Sequence, residues 1–263
     1  MKVLPIITNN IINQNNKHRK NVYNPTFSHH PDFDRLTKEY QNSICLSGYF
    51  RRGYPTFKPS PNFMDIFNVF KKVFDTDAMK KLLIIGVANS QEPFSYLATI
   101  KQLRKNKPIE SFLDLYTMDL QSKPDKKKLF EDSYTFNECF PDYAKDSFVY
   151  DPEHSELSFH KYRVTDDLFN FLYNTYNNPS KSKWETRLQE GITEYPKDSF
   201  DIISVNNVLL YLEDEEIYPA IENIYKALKP EGYIITEDDD FISESKIYNK
   251  WERNAEGIFK KVK

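Results

Sequence analysis

The chain has 263 residues and a formal net charge of −3. That is enough for one large domain, or one domain with a small appendage, and the near-neutral charge gives no reason to expect nucleic acid or an acidic membrane as partner. No apolar run reaches membrane-spanning length and no signal-peptide pattern is seen, so a cytoplasmic protein without membrane insertion is expected. Cys45 and Cys139 are isolated, and the five histidines show no ligand spacing, so neither a disulfide framework nor a metal site is expected. With 18 Tyr, 20 Phe and only 6 Gly, cores and pockets should be lined by rings.

Residues 1–31 are rich in Asn, Lys and His, bury little, and read as a disordered or loosely docked tail. A short helical segment is expected over 32–75, in two pieces: Asp32–Gln41 and Pro61–Phe74. In the second piece Phe63, Ile66, Phe67, Val69, Phe70, Val73 and Phe74 recur with a helical period. The main domain then fills 76–263. Leu82–Ile85 is a short apolar run suited to a buried strand, broken by Gly86. A helix is expected from Pro93, at a first helical position, to about Arg104. A second strand is expected at Leu113–Met118. The less regular stretch 125–178 reads as an insertion on the sheet edge. In it Ser147–Tyr150 and Leu157–Tyr162 alternate like paired strands, and Thr165 is a credible N-cap for a helix over Asp166–Tyr173. Asn177–Lys183 reads as a polar loop, Thr186–Gln189 as a short strand, Phe200–Val205 as a buried strand and Asp214–Leu228 as an amphipathic helix. Lys229-Pro230-Glu231-Gly232 stops that helix before a strand at Tyr233–Glu237, and Ile242–Val262 is polar and helical in part. Strands alternating with helices predict an α/β fold with a mostly parallel, doubly wound sheet and a small antiparallel insertion.

Strand, glycine turn, helix is how an open α/β sheet builds a nucleotide pocket at the carboxyl end of its first strand. The turn after Ile85 is not G-x-G-x-x-G, so a dinucleotide is not the obvious ligand. Glu92 would repel phosphate and would welcome the ammonium of an amino-acid-like cofactor, which points to S-adenosylmethionine. Asp119 stands just beyond the second strand, where two carboxylate oxygens match the cis-diol of a ribose.

Four ordered segments resemble the CheR-type chemoreceptor methyltransferases, which have a Rossmann-like class I fold. Ser90-Gln91-Glu92-Pro93-Phe94-Ser95 resembles the family's Gly-Glu-Glu-Pro-Tyr-Ser. Thr117-Met118-Asp119-Leu120-Gln121 resembles Ala-Thr-Asp-Ile-Asp. The run Phe200 to Leu212 resembles Phe-Asp-Leu-Ile-Phe-Cys-Arg-Asn-Val-Leu-Ile-Tyr-Phe, and Ser47-Gly48-Tyr49-Phe50-Arg51 resembles Thr-x-Phe-Phe-Arg. The resemblance covers roughly Ser43 to Glu237 and implies S-adenosylmethionine as cofactor and a protein glutamate as methyl acceptor. It assigns Ser47, Gly86, Ala88, Glu92, Asp119, Ile192 and Asn206 to the cofactor. Arg51 falls to a carboxylate, and Tyr211 and Asn207 to the acceptor side. Tyr162-Arg163-Val164 resembles the end of the family's small antiparallel insertion, which can dock a receptor or other protein substrate. Gln91 and Gln121 replace family acids, Gly191 and Asn206 replace the family's asparagine and arginine, and Arg52 stands where an acid is usual. Two rivals stay open: a non-catalytic S-adenosylmethionine-binding or interaction module on a degenerate methyltransferase fold, and a methyltransferase for another acceptor.

Overall fold

In the computed structural model, the described residues are 63–87, 90–133, 137, 164–206, 208–237 and 239–262. The expected tail, the helix at Asp32–Gln41, the paired strands between Ser147 and Tyr162, and Ser47, Arg51, Ala88 and Asn207 lie outside them.

Seven strands form one sheet in the order β3-β2-β1-β4-β5-β7-β6. β1 (Lys80–Ile85) lies at the centre of the five parallel strands, parallel to β2 (Leu113–Met118) on one side and β4 (Phe200–Ser204) on the other. β3 (Ser182–Lys183) adds in parallel to β2, and β5 (Leu228–Ile235) in parallel to β4. β7 (Ile258–Lys261) then runs antiparallel to β5, with β6 (Trp251–Ala255) antiparallel at the edge. The chain winds outward from β1 through β2 to β3 and then crosses back to β4. The order therefore reverses between β1 and β4, the kind of switch point at whose carboxyl ends open α/β sheets bind their ligands.

Alternation along the strands builds two cores, because successive side chains point to opposite faces. Leu82, Ile84, Leu115 and Ile202 face α1 (Phe63–Val73), α2 (Gln91–Leu103) and α3 (Asp166–Tyr176). Leu83, Ile85, Ile203 and Ile234 face α4 (Leu188–Thr193), α5 (Asp214–Ala227) and α6 (Asp239–Ser243). Helices thus cover both faces, as a doubly wound parallel sheet requires. Rings fill the first core: Phe70 meets Phe74 and Tyr96 edge-on, at centroid distances of 6.1 and 5.0 Å. Residues 126–133 are helical, and Leu129, Leu168 and Leu172 pack into the first core.

Three local expectations are corrected. Thr186–Gln189 is not a strand. The strand is Ser182–Lys183, inside the segment expected to be a loop, and α4 begins at Leu188. Two residues carry no periodicity, and only their pairing with Thr117 and Met118 makes them a strand. The end of the chain holds the β6–β7 hairpin after the short α6, because β6 is an edge strand whose outward residues Glu252, Arg253 and Asn254 look like surface anywhere. α2 starts at Gln91, which puts Pro93 at its third position rather than its first.

Candidate active site

The carboxyl ends of β1, β2 and β4 bring together residues scattered over the sequence. Gly86 closes β1, and its amide donates to the Met118 carbonyl at 2.9 Å. Its φ is +81°, and a Cβ there would meet Val208 Cγ2 at 2.3 Å. Both the left-handed backbone and the close approach thus demand glycine. Ser90 ends the turn with φ +64°, left-handed without the excuse of glycine.

Glu92 sits in the first turn of α2 and is 4% exposed. It faces inward, onto β4. The Ser204 hydroxyl donates to its carboxylate, and Asn206 and Tyr96 also hydrogen-bond to it. Asn206 further donates to the Tyr96 hydroxyl at 3.2 Å and to Ser204 Oγ at 3.1 Å, and the Tyr96 and Ser204 hydroxyls lie 3.1 Å apart. Burial pushes the Glu92 carboxyl up to about 7. The hydrogen bonds from Ser204 and Asn206 oppose that rise, and the charge of Glu237, just beyond β5, adds to it. The site therefore carries a carboxyl poised near neutrality and surrounded by neutral donors. A cation arriving beside it would relieve the cost of its charge.

Asp119 follows β2 and is 7% exposed. Its amide donates to Lys183 O at 2.9 Å, and its Oδ1 accepts the Gln121 amide at 2.7 Å. This local turn fixes the carboxylate beyond the strand end. Gln121 thus contributes its backbone at the place of the family's second acid.

Ile192 is buried in the core beside Met118, on α4. At Gly191 a Cβ would lie 2.7 Å from Met118 Cε and Sδ and 2.9 Å from Thr186 Cγ2. The asparagine of the resembling family would require the Met118 tip and the Thr186 methyl to shift. Tyr211 lies on a single 3-10 turn after β4, 40% exposed. The structure thus gathers Gly86, Glu92, Asp119 and Asn206 at one edge, packs Ile192 beneath it and leaves Tyr211 at the surface.

Sequence reasoning missed Ser204, Tyr96, Ser90 and Tyr176. Ser204 carried one signal, a polar residue closing the apolar pair Ile202-Ile203. Tyr96 follows Glu92 by four residues, one helical turn, which places both on one face.

Beyond this geometry, the model of a family described as "Methyltransferase domain" matches residues 156–236. That stretch runs from before α3 through β5 and includes β4 with Ser204 and Asn206, but it is less than half of the chain. The comparison with curated proteins gave no match. Among solved structures, the [4+2]-cyclase SpnF is similar at 10% identity, over 77% of this chain and 57% of that one, with a TM-score of 0.33. A phosphoethanolamine N-methyltransferase 2 of Haemonchus contortus, in complex with phosphomonomethylethanolamine and S-adenosylhomocysteine, is 15% identical over 78% of this chain and 34% of that one, with a TM-score of 0.31. A TehB-like SAM-dependent methyltransferase from Corynebacterium glutamicum is 15% identical over 73% of this chain and 85% of that one, with a TM-score of 0.34. The chain thus spans 57% of the cyclase and 34% of the Haemonchus enzyme.

The fold is Rossmann-like, of the class I methyltransferase type: five parallel strands, with a last strand inserted antiparallel beside β5. Methyltransferases of this class draw on S-adenosylmethionine, and the donor set fits that molecule. Two buried carboxyl groups, Glu92 and Asp119, stand at the strand ends beside a glycine turn with no room for a side chain. Among the described residues no helix is long and apolar enough to cross a membrane.

Proposed function

We propose that this chain is an S-adenosylmethionine-dependent methyltransferase whose cofactor lies across the carboxyl ends of β1 and β2. The observation that carries the reading is the placing of two buried acids, Glu92 in the first turn of the helix after β1 and Asp119 just beyond β2, at the carboxyl edge where the strand order reverses. Asp119 would hold the ribose hydroxyls, Glu92 the methionine ammonium, and Gly86 would let the backbone approach. Bound there, S-adenosylmethionine supplies a methyl group on a sulfonium sulfur. The chain's task is then alignment of the acceptor and exclusion of water, which can supply much of the rate without a strong base. By resemblance the acceptor is a protein carboxylate, already anionic at neutral pH. Tyr211 would stand beside it, and a receptor-like protein is the expected partner.

Calorimetric titration with S-adenosylhomocysteine tests the cofactor. Binding by the wild type that Asp119→Ala abolishes supports the pocket, whereas no binding by a folded wild type sinks the enzyme reading. Incubation with labelled S-adenosylmethionine and carboxylate, amine or hydroxyl acceptors then tests the chemistry. A product released by mild base is a methyl ester, and a base-stable one redirects the reading to another acceptor. The rival of a binding module gains from Asn206. Its amide is engaged with Ser204 and Tyr96 where the resembling family has an arginine, and cofactor affinity with no turnover on any acceptor would identify that module.

A further inference from the structure

Ser90 is an unusual residue at an important corner. It is fully buried, it joins the β1 turn to α2, and its φ of +64° is a conformation that residues with a Cβ enter at a cost. Serine at a helix N-cap normally spends its hydroxyl on a first-turn amide. Among the described residues Ser90 makes no such cap. Instead, the Tyr176 hydroxyl donates to Ser90 Oγ at 3.0 Å, across 86 residues of sequence.

Tyr176 is the last residue of α3 and is 2% exposed. Its ring meets Trp184 edge-on at 4.8 Å, and Trp184 Nε1 donates to the Tyr176 carbonyl at 3.3 Å, so the tyrosine is fixed from two sides. Burial holds its hydroxyl well above the ordinary phenol range, and the charges of Asp132, Asp119 and Glu92 push the same way. The proton needed for the bond to Ser90 is therefore present at any working pH, and the hydroxyl lies within electrostatic reach of both acids of the site.

We propose that Tyr176 is a positioning residue for the cofactor turn: its hydroxyl clamps Ser90 in the left-handed conformation that aims the start of α2, and Glu92 with it, at the carboxyl edge. The proposal rests on the cofactor reading above. The clamp acts through Ser90, so a loss of cofactor affinity should be repairable at Ser90. Tyr176→Phe keeps the ring against Trp184 and removes only the hydroxyl.

The test compares S-adenosylhomocysteine affinity in the wild type, Tyr176→Phe, and Tyr176→Phe with Ser90→Gly. The first variant is expected to bind about three- to tenfold more weakly, the range spanned by one buried neutral hydrogen bond, and to unfold at a modestly lower temperature. Adding Ser90→Gly should restore affinity to within about twofold, since glycine holds positive φ unaided. Undiminished binding by Tyr176→Phe, or a loss that Ser90→Gly leaves unrepaired, overturns the clamp. If the wild type itself does not bind, the cofactor reading fails and amide hydrogen exchange decides the clamp. The Ser90 amide donates to Val87 O and the Phe94 amide to Ser90 O. Faster exchange at these two amides alone in Tyr176→Phe supports the clamp, and unchanged exchange overturns it.

Discussion

Replacing Glu92 by glutamine removes a charge and keeps the shape, and it should make the ligand-free protein more stable at pH 8. The Glu92 carboxyl rises from an ordinary 4.5 to about 7, first because burial strips its hydration and then because Glu237 repels it, against the pull of Ser204 and Asn206. A group with a raised folded-state pKa contributes stability that is present below the unfolded value and lost as pH climbs through the folded one. The wild type should therefore lose stability between about pH 4.5 and pH 7 and level off above. At about 1.4 kcal/mol per pH unit, the full loss is about 3 kcal/mol. Glutamine can still accept from Ser204, but its amide nitrogen cannot accept from Asn206, which gives back about 1 kcal/mol. The favourable field at the start of α2 already helps the carboxylate by about 0.5 kcal/mol. The net expectation is a gain of about 1–2 kcal/mol for Glu92→Gln at pH 8, shrinking to nothing or reversing near pH 5. Urea denaturation of both proteins at pH 5 and pH 8 measures it. Equal pH profiles for the two proteins, or a glutamine variant less stable at pH 8, would refute the claim that Glu92 bears an uncompensated buried charge.

The same ionisation predicts the pH dependence of binding. A cofactor ammonium needs ionised Glu92, so S-adenosylhomocysteine affinity should fall about tenfold per pH unit below about 7 and stay flat above, and calorimetry of Glu92→Gln should show a weak, pH-independent remainder. Gly191→Asn restores the residue of the resembling family yet should cost about 1–3 kcal/mol, because its Cβ would run into Met118 and Thr186; a thermal midpoint at or above wild type would contradict this. Lys261 ties β7 to the far end of α5. Its ammonium donates to Asp198 at 2.8 Å, to the Tyr225 carbonyl at 2.9 Å and to the Leu228 carbonyl at 2.6 Å. Lys261→Ala leaves those acceptors unanswered and should lower stability by about 2–4 kcal/mol in denaturant titration, whereas a change under about 0.5 kcal/mol would show that water replaces it freely.

The strand–turn–helix at 80–103 and the strand before Asp119 were legible because each is announced locally. An apolar run has the length of a buried strand, Gly86 breaks it, and an acid stands where the next run stops. The amphipathic α5 was legible for the same reason, with Ile217, Ile221 and Ile224 on one face, although it ends at Ala227 and the expected stop Lys229–Gly232 lies inside β5. The β6–β7 hairpin was not, since an edge strand exposed on its outer side has no apolar alternation to read.

Local pattern announces the strand–turn–helix around Gly86, the acid just beyond β2 and the amphipathic α5, because periodicity and turn chemistry act over a few residues. Long-range packing sets what surrounds the acids of the site. Glu92 meets Ser204 across 112 residues, Tyr176 meets Ser90 across 86, and β3 exists only because β2 pairs with it. Such contacts leave no trace in local pattern, since any serine or tyrosine in a buried stretch looks alike until the sheet brings the strand ends together. The ionisation of the site, and with it the pH at which a cofactor can bind, is therefore a property of packing: burial in the assembled fold moves the Glu92 carboxyl, and an isolated strand and turn could not.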